Sequence, residues 1–132
     1  MDIVVWQEQG RVPVTVLHIR GELNVNSYEQ LQTEARKAFD AGARDMVLDL
    51  TEVPYVSSAG LRGIHTIFTM LRTAAADESD ETVSKGLRDG TYKSPHLKLL
   101  SPSDHVMEVL HTSGFDMYLE VYTDLPQAVA SF

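Results

Sequence analysis

The sequence predicts a single α/β domain with a mixed sheet of four to five β-strands and about four α-helices. Two observations indicate this class: short apolar segments rich in β-branched residues alternate with amphipathic segments, and the apolar residues of the latter recur every three to four positions. The chain has 132 residues, enough for one domain with its own core, and contains no internal repeat. We therefore interpret residues 1–132 as one domain.

The first two predicted strands form a hairpin. Residues 3–6 are apolar and β-branched, Gln9 and Gly10 mark a turn, and residues 12–19 are apolar on both faces. A strand that is apolar on both faces is typical of a sheet interior covered by helices. The short connection favours antiparallel pairing of the two strands.

A helix is predicted after this hairpin. Ser27 and Gln30 have the spacing of a capping box, in which a serine hydroxyl and a side chain three residues later cap the first turn. Apolar residues then recur at helical spacing until Gly42, a typical helix terminator. The strand–helix–strand order favours a parallel crossover between the strands on either side.

The centre of the predicted fold is a strand, a tight turn and a helix within residues 45–72. Residues 46–50 read as a buried strand, and Pro54 prevents its continuation because proline lacks a backbone N–H. The helix that follows has one continuous apolar face, which predicts that it packs against the core. The residues of this face are Leu61, Ile64, Ile67, Phe68, Met70 and Leu71.

Two serines, Ser57 and Ser58, lie at the start of this helix. The first N–H groups of a helix lack partners within it and, together with the helix dipole, favour negative charge at that end. A serine at this position can therefore either cap the helix or hold a phosphate. Arg62 lies one turn beyond Ser58 and could contact the same anion.

Residues 74–95 differ in composition from the rest of the chain, because small and charged residues dominate. This composition predicts an extended surface insert and not a second domain, with a short helix over residues 82–88 as the alternative. The acidic residues of the insert lack the spacing and the glycine of an EF-hand, so we expect a solvated loop. These acidic residues are Asp77, Glu78, Asp80 and Glu81.

The remaining predicted elements complete the α/β pattern. Residues 96–100 form a short strand, and the helix that follows has Ser103 as its cap. We expect residues 115–122 to be extended. A terminal helix begins after Asp124, which is the predicted cap, with Pro126 in its first turn.

The composition excludes several classes of function. The formal net charge is -8, whereas nucleic acid or an anionic membrane requires a basic surface. The absence of cysteine rules out disulfides and cysteine-based zinc sites. No apolar run approaches the roughly 20 residues of a spanning helix, and the start of the chain lacks signal-peptide features, which predicts a cytoplasmic protein. No P-loop or dinucleotide motif is present, so we expect no cofactor.

Alternative functions find less support in the motifs. In a response-regulator receiver Asp49 would be the phosphoacceptor, yet no acidic pair follows the first strand and Lys93 precedes its nearest strand. A serine hydrolase would need a G-x-S-x-G elbow, which the serine pair lacks. No two histidines have the i,i+4 spacing of a helical metal site, so we predict neither a metal ion nor a catalytic residue. The histidines are His18, His65, His96, His105 and His111.

Separate segments of the chain together resemble one family. The sequence is similar to the STAS domain, specifically to the anti-sigma factor antagonists of bacterial partner-switching systems. The resemblance covers nearly the full chain apart from the insert, and the segments occur in the order of the family. They are GELN at 21–24, LDLT at 48–51, the signature YVSSAGL at 55–61, and a C-terminal pair, LKLLSPSDHVMEVLHTSGF at 97–115 and EVYTDLPQAV at 120–129.

The signature implies a phosphorylation site. In the family it usually reads Asp-Ser-Ser/Thr-Gly-Leu, and the serine directly after the Asp is phosphorylated. Alignment on Gly60 and Leu61 places that acceptor at Ser58. Ser57 then stands where the family has Asp, and Ala59 where it has Ser or Thr. Ser57 is the alternative acceptor.

The resemblance implies a protein that acts by binding and catalyses nothing. Unphosphorylated, it would bind an anti-sigma factor that is a serine/threonine kinase. Phosphorylation by that kinase would release it, and a PP2C-type phosphatase would restore the unmodified form. The expected partner-binding residues are Asn24 and Asn26 in the loop before the first helix, and Ser57, Ser58, Arg62, His65 and Thr66 on the central helix.

A second interpretation within the same family stays open. The protein would be a STAS module that binds a small ligand, or another signalling or transport protein, without phosphorylation. The presence of Ser57 in place of the usual Asp favours this alternative. Phosphorylation of the chain by a co-encoded kinase separates the two interpretations.

Overall fold

The computed structural model describes residues 1–75 and 79–132, which form a five-stranded mixed sheet with helices on both faces. The predicted α/β class is confirmed. The strands are β1 (Asp2–Gln9), β2 (Pro13–Arg20), β3 (Met46–Glu52), β4 (Leu97–Leu100) and β5 (Val121–Tyr122). The helices are α1 (Tyr28–Asp40), α2 (Ser58–Ala74), α3 (Asp80–Asp89), α4 (Asp104–Ser113) and α5 (Leu125–Ala130), with a 3-10 turn at Phe115–Met117.

The topology of the sheet brings three loops to one edge. β1 and β2 pair antiparallel, with Trp6 opposite Val16, as the predicted hairpin requires. β2, β3, β4 and β5 pair in parallel in that spatial order. Because the carboxyl ends of parallel strands share one edge of a sheet, the loops that lead into α1, α2 and α4 all begin there.

Two apolar layers hold the helices to the sheet. The larger layer contains Leu17, Leu48 and Ile64, which are fully buried between the sheet and the helices α1, α2 and α4. The smaller layer lies on the other face and joins Val47 of β3 to Val129 of α5. Full burial of one such side chain contributes about 1.5–3 kcal/mol. Burial on both faces explains why the middle of β2 and the start of β3 are mostly apolar.

Helix α2 packs its predicted apolar face into the larger layer. Ile64, Ile67, Phe68 and Leu71 are buried there, and Leu61 and Met70 are partly buried against it. Among residues 1–75 and 79–132, no helix has both the length and the apolar character needed to cross a lipid bilayer.

The caps of the helices partly differ from the predictions. Ser103 accepts a hydrogen bond from Val106 N, and Asp124 accepts one from Gln127 N, so both predicted caps are confirmed. The predicted capping box at Ser27 is wrong, because this hydroxyl makes no cap hydrogen bond to α1. It donates instead to Glu22 O at 2.7 Å and accepts from Asn24 N at 3.0 Å, which stabilises the preceding loop.

The insert contains a helix. Residues 80–89 form α3, so the expected extended connection is wrong for these residues and the alternative of a short helix holds. Ser79 caps α3 by accepting from Thr82 N, and Val83 is buried against the rest of the chain. Asp80 pairs with Arg72 of α2 at 2.7 Å. Asp77 and Glu78 lie outside the described residues.

The expected extended segment at residues 115–122 is also only partly correct. Gly114 ends α4 in the left-handed conformation, with φ of 81°, and the chain then makes the 3-10 turn Phe115–Met117. Only Val121–Tyr122 join the sheet. The turn packs Phe115 against Tyr118, and Tyr118 packs against Phe68 of α2. A tally of β-forming residues does not anticipate these contacts.

A backbone bridge joins the β2–α1 loop to the β3–α2 loop at the shared edge of the sheet. Leu23 N donates to Tyr55 O at 2.9 Å, and Ser57 N donates to Leu23 O at 2.9 Å. Leu23 and Val56 form an isolated parallel bridge, and both side chains are buried. The start of α2 therefore has a fixed position relative to the loop before α1.

Gly60 permits this close approach. A Cβ atom at this position would lie 2.4 Å from Leu23 O, which is far inside normal contact distance. The obstacle is backbone, and it belongs to the same bridge that positions α2. The glycine is thus required by the contact between α2 and the loop and not by its own backbone angles.

We predict that Gly60→Ala destabilises the protein by about 1–3 kcal/mol, as overpacking in a core does. An ordinary Gly→Ala change inside a helix would stabilise it by about 0.5–1 kcal/mol, so the two effects have opposite signs. Urea unfolding measures the free energy, and Thr69→Ala, on the exposed face of the same helix, is the control. A Gly60→Ala variant as stable as the parent would contradict the contact.

Candidate functional site

The two serines of the signature occupy different environments. Ser57 is the cap of α2, with φ of -90° and ψ of 177°, and its hydroxyl accepts from Gly60 N at 3.3 Å. Ser58 is the first residue of the helix, and it is exposed. The cap function and the accessible hydroxyl therefore fall on different residues.

The start of α2 favours an anion. The first turn of this helix of 17 residues contains no acidic side chain, and its cap is neutral. Unpaired N–H groups and the helix dipole give such an end a partial positive charge. Arg62 is exposed one turn further on, and it forms no ion pair with another residue of the described ranges. The charges described at this end of α2 thus favour an anion.

The loop before α1 lies beside this site. Asn24 Oδ1 accepts from Asn26 N at 2.9 Å, and Asn24 Nδ2 donates to Glu22 at 3.3 Å. Asn26 is exposed. Because Leu23 is bonded to Ser57, the structure brings this loop and the serine pair together on one surface.

His65 and Thr66 extend the site in two directions along α2. Both are exposed. The ring of His65 lies 6.3 Å from that of Phe115, beyond α4. Thr66 donates to Arg62 O at 2.9 Å and accepts from Gln32 of α1 at 3.2 Å. The residues expected to bind a partner therefore do not form one cluster, since His65 and Thr66 border different neighbours of α2.

The structure adds two residues that the motif reasoning did not assign. Tyr55 of the signature is 42% exposed, and its ring stacks on that of His105 with 5.5 Å between centroids. His105 belongs to the first turn of α4, so a third loop borders the site. In the sequence, the aromatic residue Tyr55 within the signature was the one signal for this contact. Next to this pair lies a groove of about 310 Å³ between α2 and α4, lined by Leu61, His105, Glu108, Val109, Thr112 and Ser113.

A charged cluster lies at the carboxyl ends of β2 and β3, on the face of the sheet that carries Trp6 and α5. His18 Nδ1 is 2.8 Å from Asp49 Oδ2, and His18 Nε2 is 2.6 Å from Glu52 Oε2. Ionised carboxylates only accept hydrogen bonds, so both ring nitrogens must donate and the imidazole is positively charged. This cluster has no local signal in the sequence, because its three residues are polar exceptions in two mostly apolar strands.

Asp49 does not present an accessible carboxylate, contrary to what the receiver alternative requires. It is 8% exposed, and its second oxygen accepts from Thr51 N at 3.1 Å and from the Thr51 hydroxyl at 2.6 Å. Both oxygens are therefore engaged. Among residues 1–75 and 79–132, no group of three His, Asp or Glu side chains is arranged to hold a metal ion.

The cluster raises the pKa of His18 and lowers the pKa of Asp49. The hydrogen bond to Asp49 raises the pKa of His18, and Glu52 adds to this effect while burial opposes it. Burial alone would raise the pKa of Asp49, but hydrogen bonds from Thr51 and His18 outweigh it, so the pKa of this carboxyl is lowered. Both shifts favour the charged pair.

Comparison with known proteins identifies the family. The model of the STAS domain matches residues 5–77. A protein of Bordetella bronchiseptica, BtrV, whose name describes it provisionally as an anti-sigma factor antagonist, is 31% identical over 114 residues, which cover 86% of this chain and 82% of that protein. The chain belongs to the STAS domain family, and the resemblance to anti-sigma factor antagonists is confirmed.

Solved structures show the same fold. An anti-sigma factor antagonist from Mycobacterium paratuberculosis is 17% identical with a TM-score of 0.68, over 98% of this chain and 93% of the other. Unphosphorylated SpoIIAA is 18% identical with a TM-score of 0.64, over 94% and 92%. Phosphorylated SpoIIAA, from Bacillus, is 18% identical with a TM-score of 0.57, over 94% and 96%.

The charged cluster predicts how stability depends on pH. Because the folded chain holds the proton of His18 more tightly than the unfolded chain, this contribution is complete below pH about 6.5 and is lost as the pH rises through the raised pKa. The contribution of Asp49 is present above pH about 3.9 and is lost as the pH falls through the lowered pKa. Urea unfolding at a series of pH values should show that the free energy of unfolding declines at both alkaline and acidic pH.

The His18→Gln variant isolates the alkaline decline, because glutamine does not titrate. We expect the decline to become shallower in this variant. His111→Gln removes an exposed histidine that pairs with Asp116, far from the cluster, and should leave the alkaline slope unchanged. An equal slope in the parent and the His18→Gln variant would exclude the cluster as its source.

Proposed function

We propose that this protein is an anti-sigma factor antagonist controlled by phosphorylation of Ser58. Unmodified, it binds an anti-sigma factor that is a serine/threonine kinase, and the sigma factor is then free to direct transcription. The observation that carries this proposal is the exposed Ser58 hydroxyl at the start of α2, beside a Ser57 hydroxyl already engaged as the cap. BtrV and the structural neighbours support the general role through their names alone.

In this proposal the chain supplies only the acceptor, and the kinase supplies ATP and the catalytic groups. Ser58 Oγ forms a bond to the γ-phosphorus of ATP while the bond from that phosphorus to the bridging oxygen breaks. ADP leaves, and the hydroxyl proton passes to a base of the kinase. A PP2C-type phosphatase hydrolyses the phosphoserine and restores the unmodified form. Because the kinase uses ATP, we place this cycle in the bacterial cytoplasm.

The phosphate would release the partner through its charge. It adds about −1.5 to −2 charges to a surface that exposes apolar groups such as Tyr55 and the groove at Leu61. Burying that charge in an interface costs free energy unless the partner supplies matching donors. A coupling of about 1–3 kcal/mol weakens binding by roughly 5- to 150-fold.

The unphosphorylated alternative is supported by one particular feature of the site. Where the family usually has an Asp, this chain has the neutral cap Ser57, and a kinase that requires the acidic residue would not recognise it. The protein would then act as a STAS module that binds a small ligand or another signalling protein. The groove between α2 and α4 is the candidate location.

We predict that Ser58→Ala abolishes incorporation of phosphate by a co-encoded anti-sigma factor kinase, because the acceptor oxygen is removed. Intact-mass spectrometry after incubation with ATP measures incorporation. We also expect Ser58→Asp to bind that kinase roughly 5- to 150-fold more weakly than the parent in calorimetry.

Ser57→Ala is the matched control. It removes the cap, at a cost to stability of about 0.5–2 kcal/mol, but it leaves Ser58 in place and should still incorporate phosphate. Incorporation of phosphate by Ser58→Ala but not by Ser57→Ala would show that Ser57 is the acceptor. Binding of the kinase with equal affinity by the parent and Ser58→Asp would defeat the charge switch and favour the alternative.

A further inference from the structure

We propose that His18 is a positioning residue for the segment that carries Ser58. Its imidazolium joins β2 to β3 where the two loops of the site leave the sheet, so its protonation state is transmitted to the start of α2. The inference rests on the proposed function only for the role of Ser58 as the phosphorylation site. The coupling between protonation of His18 and the start of α2 does not depend on that role. His18 itself is not part of the surface around Ser58, but it determines the position of the loops that form this surface.

The pairing of β2 with β3 is irregular at this point. His18 is opposite Asp49 and Arg20 is opposite Glu52, so two steps along β2 match three steps along β3. Such a bulge adds one residue to a strand and changes its direction. It thereby determines which residues of the two loops meet further along the chain.

The pairing continues beyond the bulge into the site. Gly21 N donates to Glu52 O at 3.0 Å, and Leu23 N donates to Tyr55 O at 2.9 Å. The bridge between Leu23 and Ser57 follows directly. An unbroken series of backbone contacts therefore leads from the bulge to the residue that precedes Ser58.

His18 spans the bulge with both ring nitrogens. Asp49 precedes the extra residue and Glu52 follows it, and the ring bonds to both carboxylates. Thr51, inside the bulge, donates its N–H and its hydroxyl to the other oxygen of Asp49. A neutral imidazole has only one N–H, so deprotonation breaks one of the two links and places a lone pair against a carboxylate.

Few other charges face the ring. From β1, the ring of Trp6 lies 6.3 Å away, and its Nε1 donates to Glu8 at 2.8 Å. Val4 of β1 is opposite His18, and Asp2 is opposite Arg20. Arg20 Nε lies 3.5 Å from Glu52 Oε1, and both side chains are substantially exposed. Loss of the imidazolium charge therefore leaves the solvated Arg20 as the cation beside Glu52, which weakens the attachment of Glu52.

Nuclear magnetic resonance titration of the free protein tests the coupling. We expect the amide signals of Leu23, Ser57 and Gly60 to shift with the same midpoint as the ring of His18, above the ordinary histidine value of about 6.5. His18→Gln and Glu52→Gln should both abolish these shifts, the second while retaining a titrating ring. The comparison is made over the pH range in which each variant is folded.

His96→Gln is the matched control, because His96 Nδ1 lies 2.8 Å from Asp45 at the opposite, amino end of β3. The shifts of the three amides should persist in this variant. Amides that stay constant while His18 titrates, or that still titrate in His18→Gln, would overturn the inference. The experiment uses no kinase, so absence of phosphate on Ser58 would refute the proposed function and leave this result unaffected.

Discussion

The backbone contact between Leu23 and Ser57 is the constraint on which the site depends. Ser57 N donates to Leu23 O at 2.9 Å, and Leu23 N donates to Tyr55 O at 2.9 Å. These two hydrogen bonds hold the start of α2 against the loop before α1. Buried Leu23 and Val56 exclude water from the contact, and the absence of a side chain at Gly60 makes room for it. Without this bridge, Ser58 at the start of α2 and Asn24 in the loop before α1 would not be held in a fixed relative position.

The consequence for function is a preformed surface. The carboxyl ends of β2, β3 and β4 deliver three loops to one edge of the sheet, and helix α2 projects Ser58 from the middle of them. Ser58, the loop at Asn24 and the stacked pair of Tyr55 and His105 all belong to these loops or to the helices that follow them. In the proposed function, a phosphate on Ser58 alters binding by changing the charge of this surface.

Much of the fold could be predicted from the sequence because its signals are local or periodic. The apolar face of α2 and the caps at Ser103 and Asp124 depend on spacing along the chain, and they are found as predicted. Ser58 could be singled out because the signature is short and contiguous, and in the structure Ser58 is exposed at the start of α2.

The features that the sequence did not predict have a common physical cause. In each, a side chain contacts partners that are distant in sequence or outside the motif considered. Ser27 has the spacing of a cap, but the carbonyl of Glu22 captures its hydroxyl. His18 is separated from Asp49 by 31 positions, so nothing in the strand pattern links them. The apolar residues between 115 and 122 favoured an extended segment, yet Phe115 packs against Tyr118 and residues 115–117 form a turn.

The most direct test of the account compares amide spectra of the unmodified protein and of protein with phosphoserine incorporated at position 58 during synthesis. The account predicts changes confined to the start of α2, the loop at residues 21–27 and the adjoining start of α4. The strands and α5 should keep their signals, because the site is already formed. Changes spread across β3, β4 and α5 would show that the phosphate rearranges the fold, and they would contradict a local charge switch.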